Sequence, residues 1–294
     1  MKISAYHKKH NDKCEMYKHF TEYDRIYVSR VFDDCYSSYI DPVFTGKPEV
    51  IHGGSGYSLD NKLPDEIEHI YPDYSLYGIN DTAYGYLTRG CPRACPFCIV
   101  AKKEGRKSIK VADLKEFWNK QLNIVLLDPN LLACKDYPEL LNQLAESGSH
   151  VDFTQGIDVR LLNSDNIEML NRIKISNIHF AWDLPQMEDL ILRGLKLYSK
   201  FGKIKDYRLK SVYVLTNYNT THDYDMYRVN ILKELGYYPY IMVYDKQNAP
   251  KITRKLQRYV NNRWIYNTCS SFDEYLRQND WSNMIDNVNY RKLW

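Results

Sequence analysis

From about residue 82 onward, short apolar runs of strand character alternate with amphipathic stretches of helical spacing. This alternation restricts the fold more than any other feature of the sequence. Six strand candidates cover residues 82–87, 123–127, 151–155, 178–182, 211–215 and 238–243. Helical patterns lie between them at 112–120, 138–146, 167–173, 187–200 and 224–235, the last running into Gly236, a suitable helix stop. In the helix from Met187 the apolar positions are Leu190, Leu192, Leu195 and Leu197. Right-handed crossovers make such strands parallel, and six units close only partway. The predicted class is therefore α/β, with a partial (β/α)6 barrel whose chemistry gathers at the strand C-terminal ends.

The chain has 294 residues, 44% of them hydrophobic, enough for one large domain or a domain with an appendage. Three segments are expected: a small partial α/β segment over 1–80, the barrel over 81–250, and a helical extension over 251–294. In the first, strand candidates at 2–5, 25–31 and 49–52 are joined by polar stretches rich in Tyr, Asp and Lys. The Gly53-Gly54-Ser55-Gly56 turn that follows could offer backbone N–H groups to a phosphate; the plainer reading is a tight turn that needs positive φ. In the extension, a helix over 252–260 carries Lys251, Arg254, Lys255, Arg258 and Arg263 in or beside it, read as a solvated basic face.

Forty basic and 37 acidic residues leave a net charge of only +3, which gives no strong footprint for nucleic acid or an anionic membrane. The polar residues 1–12 do not look like a signal peptide, and no stretch approaches the roughly 18 apolar residues of a membrane span. The expectation is a soluble, cytoplasmic protein.

Three of the seven cysteines sit on one tight loop directly after the first barrel strand, in Thr88-Arg89-Gly90-Cys91-Pro92-Arg93-Ala94-Cys95-Pro96-Phe97-Cys98. In a cytosolic enzyme such a C-x3-C-x2-C cluster reads as metal binding or catalysis before disulfides. Each thiolate can take one corner of an iron–sulfur cubane, leaving the fourth iron without a protein ligand. Zinc is the alternative, with Cys134 or a histidine as fourth donor. Pro92 and Pro96 restrict the loop, and Phe97 is placed to pack beside a cluster or nucleoside. Cys14, Cys35, Cys134 and Cys269 are scattered, as buried structural cysteines would be.

The loop resembles that of the radical S-adenosylmethionine (SAM) superfamily, whose hallmark is C-x3-C-x-aromatic-C after the first strand of a partial barrel. Cys91, Cys95, Phe97 and Cys98 match without a gap, and the likeness extends through the β/α order over about residues 82–245. The resemblance implies a 4Fe-4S cluster on the three cysteines with SAM chelated at the open iron. It also implies reductive cleavage of SAM to methionine and a 5′-deoxyadenosyl radical, fed by an external electron donor of flavodoxin or ferredoxin type. The substrate stays unidentified. A cluster or zinc protein without turnover is the competing class.

Further residues follow from the same resemblance. Leu126-Leu127-Asp128-Pro129-Asn130 falls where the superfamily binds the SAM amino group, commonly as Gly-Gly-Glu; here it is similar to the acidic Asp-x-Asn form of cobalamin-type relatives. Asp128 and Asn130 are thus candidate contacts, or they cap a turn. After the third strand, Asp158 and Arg160 reach the expected barrel mouth. Arg160 can grip the SAM carboxylate with two hydrogen bonds, or the two residues pair with each other. Asp183 and Asn217 could meet ribose hydroxyls or substrate, and Val243 and Tyr244 could border the adenine; turn stabilisation or packing is the alternative for Asp183, Asn217 and Tyr244. Lys102-Lys103-Glu104-Gly105-Arg106 could neutralise the cluster or contact the SAM carboxylate, or form a solvated turn. The amino-terminal segment looks similar to a shortened cobalamin-domain remnant, but Asp-x-His-x-x-Gly is absent and His7 and His10 do not reproduce it, so cobalamin is not expected.

Overall fold

A computed structural model describes residues 1–32 and 44–278. The chain divides into two compact units, Met1–Asp158 with Glu168–Asn177, and Val159–Ile167 with Ile178–Trp294.

The chain opens with helix α1 (Lys2–Lys9), where the alternation of residues 2–5 predicted a strand. Long-range contacts override that four-residue pattern: Ser4 is buried with its hydroxyl donating to Asp73, while Lys8 pairs with Asp73 and Lys2 with Glu68. Ser4 and Lys8 lie one helical turn apart and so reach Asp73 together, whereas a strand would hold them about 13 Å apart. Strands β1 (Arg25–Ser29) and β2 (Glu49–Gly53) pair in parallel, and α2 (Asp65–Glu68) leads towards the main sheet.

Strand β3 (Thr82–Gly85) is followed by the short β4 (Thr88–Arg89), the cysteine loop, α3 (Val100–Lys103) and the short β5 (Ile109–Lys110). The helix predicted over 112–120 is instead one 3-10 turn, Leu114–Glu116. Asp113 and Glu116 cap it from both ends of a capping box, and Lys120 turns the chain at φ 64, so there is no room for an α-helix.

Strand β6 (Asn123–Leu126), α4 (Tyr137–Ser147), β7 (His150–Phe153), α5 (Ser164–Arg172) and β8 (Lys174–Ala181) follow. Then come α6 (Glu188–Phe201), β9 (Lys210–Thr216), α7 (His222–Glu234) and β10 (Tyr238–Val243). Three helices, α8 (Lys251–Asn261), α9 (Arg263–Thr268) and α10 (Phe272–Gln278), end the described chain.

All six predicted strands form, and they lie in one six-stranded parallel sheet in the order β10-β9-β8-β7-β6-β3. Successive strands are neighbours throughout. The order never reverses, so the sheet lacks the switch point at which doubly wound folds place their ligands.

Within the first unit the alternate residues Ala83, Ile124, Leu126, Val151 and Phe153 are buried, as are Leu140, Leu141 and Leu144 of α4. The second unit buries Ile178, Phe180, Val212, Val214 and Ile241 from its strands, with α7 against β9 and β10 and α8 against β10. Each such Leu, Ile, Val or Phe contributes about 1.5–3 kcal/mol. In α6 the buried face is Ile191, Gly194, Leu195 and Tyr198, at helical spacing, whereas Leu190 is 43% exposed. Of the four leucines read from the sequence only Leu195 is fully buried, because their spacing of two and three residues winds around the helix. Helix α7 stops before Gly236 at φ 74, as predicted. Among the described residues no helix is long and apolar enough to cross a membrane.

Candidate functional site

In the first unit, β4 and β5 pair antiparallel, Thr88 with Lys110 and Arg89 with Ile109, and close the cysteine-bearing segment into a loop. Its entry is drawn tight at Gly90. The residue has φ 84, and a Cβ there would lie 2.1 Å from the Lys107 carbonyl oxygen, so only glycine fits. The Cys91 N–H donates to the Gly105 carbonyl at 3.1 Å, and the Cys98 N–H to the Cys95 carbonyl at 2.9 Å. Glu104 turns inward, accepting from Arg89 at 3.1 Å and from the Gly90 N–H at 3.4 Å. Arg89 also reaches Glu68 at 3.2 Å and lies over the Tyr86 ring at 4.1 Å.

This anchoring makes Gly90→Ala a test of the loop. The substitution is expected to strain the entry by more than the roughly 1–2 kcal/mol of a left-handed backbone, because the Cβ also meets the Lys107 carbonyl, and to speed limited trypsin cleavage at the exposed Lys102, Arg106 and Lys107. An unchanged cleavage rate would show that the Gly90 contact does not hold the loop.

Asp128, at the end of β6, is 5% exposed and faces back onto the same entry. Its carboxylate accepts the Leu87 N–H at 3.1 Å, the Thr88 N–H at 2.5 Å and the Thr88 hydroxyl at 2.7 Å. Burial pushes its carboxyl up to about 6 against the pull of those hydrogen bonds. Asp128 thereby ties β6 to the chain three residues before Cys91.

Asn130 is 2% exposed. Its amide nitrogen donates to Asp158 at 3.1 Å and lies 3.5 Å from the Cys91 sulfur, while its Oδ1 is buried with no hydrogen-bond partner among the described residues. Asp158 accepts from Arg93 as well, at 2.7 Å, and Arg93 lies between Cys91 and Cys95. The first unit therefore brings together Cys91, Arg93, Asn130 and Asp158, residues from the cysteine loop and from the ends of two successive strands. Phe97 is half-buried, Cys91 and Cys95 are half-buried and Cys98 is exposed. Among the described residues no three His, Cys, Asp or Glu side chains gather into a group that could hold a metal ion.

The sequence matches no family model and no curated protein.

The remaining candidates lie in the second unit. Arg160 sits in the 3-10 turn Val159–Leu161. Asp183 follows β8 and is half-buried near Arg228, a fully buried guanidinium that donates to the Trp182 carbonyl at 2.6 Å and the Leu215 carbonyl at 2.8 Å and pairs with Asp225. Asn217 has φ 61 and donates to the Tyr244 carbonyl at 2.8 Å, so its amide joins the turns after β9 and β10. Tyr244 is 43% exposed, its ring edge-on to Tyr218.

Burial pushes the Asp183 carboxyl up to about 6, against the charges of Arg228 and Arg160. A carboxyl raised in the fold stabilises it fully below the unfolded value near 4, and that contribution is lost as pH rises through about 6. Asp183→Asn removes the titration. Relative to wild type, the variant is expected to gain on the order of 3 kcal/mol between pH 4 and pH 7, read from paired urea denaturation series. Parallel series would mean that Asp183 titrates normally.

Arg93 and Arg228 are site residues that the sequence does not single out, and Glu104, read there as part of a charged turn, faces the loop entry instead. Arg93 is marked only by lying between two of the cysteines, and Arg228 only by an Asp225/Arg228 spacing of three beside the apolar Val229 and Leu232. The Gly53–Gly56 turn has a packing role: a Cβ on Gly54, at φ 90, would lie 2.2 Å from the Arg30 carbonyl oxygen. Lys102, Arg106 and Lys107 project into solvent. Of the scattered cysteines, Cys134 and Cys269 are buried, Cys14 is half-buried, and Cys35 lies outside the described residues.

Proposed function

We propose that this protein is a radical SAM enzyme in which Cys91, Cys95 and Cys98 hold a 4Fe-4S cluster. The observation that carries the reading is a C-x3-C-x2-C loop set directly after the first strand of a sequentially ordered six-stranded parallel sheet. Right-handed crossovers between successive neighbours all pass on one face of such a sheet, which supports the partial-barrel reading.

The donor chemistry fits the cluster. Three thiolates within eight residues suit three separate corners of a cubane, whereas a single zinc ion needs its ligands within about 2.3 Å of one centre. The buried Asn130 Oδ1 fits SAM, since an acceptor without a partner beside Cys91 asks for a donor such as an ammonium group. When bound, the cluster would supply one electron to the sulfonium of SAM.

The protein's own residues do the positioning. Gly90 and Glu104 hold the loop entry, Asp128 fastens the preceding strand end, and the Arg93–Asp158–Asn130 chain orients the amide beside Cys91. Phe97, half-buried within the loop, would help to exclude water from a bound cluster.

The test is anaerobic reconstitution with iron and sulfide, addition of SAM and dithionite, and quantification of 5′-deoxyadenosine. Nucleoside that depends on the three cysteines supports the reading. Stoichiometric zinc with no bound iron overturns it, and iron without cleavage would instead favour a cluster-binding protein without turnover.

A further inference from the structure

We propose that the basic arm of the cysteine loop, from Ile99 to Ile109, is the docking face for a small acidic electron-carrier protein. This inference rests on the radical SAM reading. Residues 89–110 carry seven basic side chains and one acidic one. Three of the seven are spoken for: Arg89 pairs with Glu68 and Glu104, Arg93 with Asp158, and Lys110 with Asp113 and Glu139. The lone acid, Glu104, is turned inward with its side chain 11% exposed, so it does not neutralise the surface.

Lys102, Lys103, Arg106 and Lys107 make no ion pair among the described residues. Lys102, Arg106 and Lys107 are exposed and Lys103 half-buried. On a chain whose net charge is only +3, four unneutralised cations within six residues form a local positive field.

Two large apolar side chains accompany them, Ile99 at 52% and Ile109 at 54% exposure. Cations with exposed isoleucines on one short arm suit a protein partner better than a solvated face: opposite charge steers and orients the encounter, and the apolar groups supply contact that excludes water. Cys98 is exposed and immediately precedes Ile99, so a carrier seated there stands beside the cysteine loop. A net charge of only +3 gives no broad basic footprint of the kind that nucleic acid calls for.

The experiment uses the full chain, reconstituted anaerobically, and a recombinant flavodoxin of strongly negative net charge. Binding is measured by calorimetry at 25 and 250 mM salt for the wild type and for the Lys102→Glu/Arg106→Glu/Lys107→Glu variant. The expected result is that Kd weakens about tenfold or more with salt in the wild type and by at least as much in the variant at low salt. Should the variant fail to fold, the salt dependence of the wild type decides alone. Binding that ignores both salt and charge reversal overturns the docking face, as does tighter binding of an RNA oligonucleotide than of flavodoxin. Dithionite needs no docking, so a wild type that cleaves SAM with dithionite but binds no flavodoxin loses this face alone. A wild type that forms no 5′-deoxyadenosine with dithionite loses the underlying reading.

Discussion

On the radical SAM proposal, Cys95→Ala is expected to reduce 5′-deoxyadenosine formation to background while leaving the far-ultraviolet circular dichroism of the protein unchanged. Cys95 lies mid-loop, between Cys91 and Cys98, in a segment held from its ends: by the Thr88–Lys110 and Arg89–Ile109 pairs, by Gly90 against Lys107, and by the Cys91–Gly105 hydrogen bond. Removing one sulfur should therefore not unfold the sheet. It would leave two thiolates where a cubane needs three from the protein. Cys134 is a poor substitute, because it is buried and its thiol is pushed up by that burial. Iron per chain and deoxyadenosine yield, measured on the same preparation, check the prediction. Full retention of both would show that Cys95 is not a ligand.

Arg228→Ala is expected to produce the largest loss of stability, about 3–5 kcal/mol, the range for breaking a buried ion pair by removing one partner. The guanidinium is completely buried and serves three acceptors: the Trp182 carbonyl after β8, the Leu215 carbonyl within β9, and the Asp225 carboxylate one helical turn earlier in α7. Truncation strands all three at once. Asp225 would be left as a buried carboxylate without its counter-charge, and Asp183 would lose a charge that offsets its burial. Urea denaturation of the wild type, Arg228→Ala, Asp225→Ala and the double variant measures the coupling. The double variant should cost less than the sum of the singles, since the second deletion removes the charge that the first leaves unpaired. Strict additivity would mean that Arg228 acts through packing alone.

Much of the architecture can be read from short-range pattern. The six strands, the helix stop at Gly236, and the position of the cysteine loop after the first strand are properties of residues adjacent in the chain, and local period and turn chemistry determine them. Where a pattern spans only four residues, as at Lys2–Ala5, or mixes spacings, as along the leucines of α6, tertiary contacts decided the outcome. Ser4 and Lys8 joined Asp73 on a helix, and Gly194 took a buried position that hydrophobicity alone would not assign to it.

The candidate site divides in the same way. The three cysteines, Asp128, Asn130 and Asp158 are visible in the sequence because each stands at or near a strand end. Their partners are not. Asp158 meets Arg93 across 65 positions of sequence, and Asp128 holds Thr88 across 40. These pairs exist because the order β3-β6-β7 places three successive strand ends side by side. The sequence by itself determined which residues stand at the strand ends; only the tertiary structure decided which of them share hydrogen bonds, because that depends on strand register and on how far each buried side chain can reach.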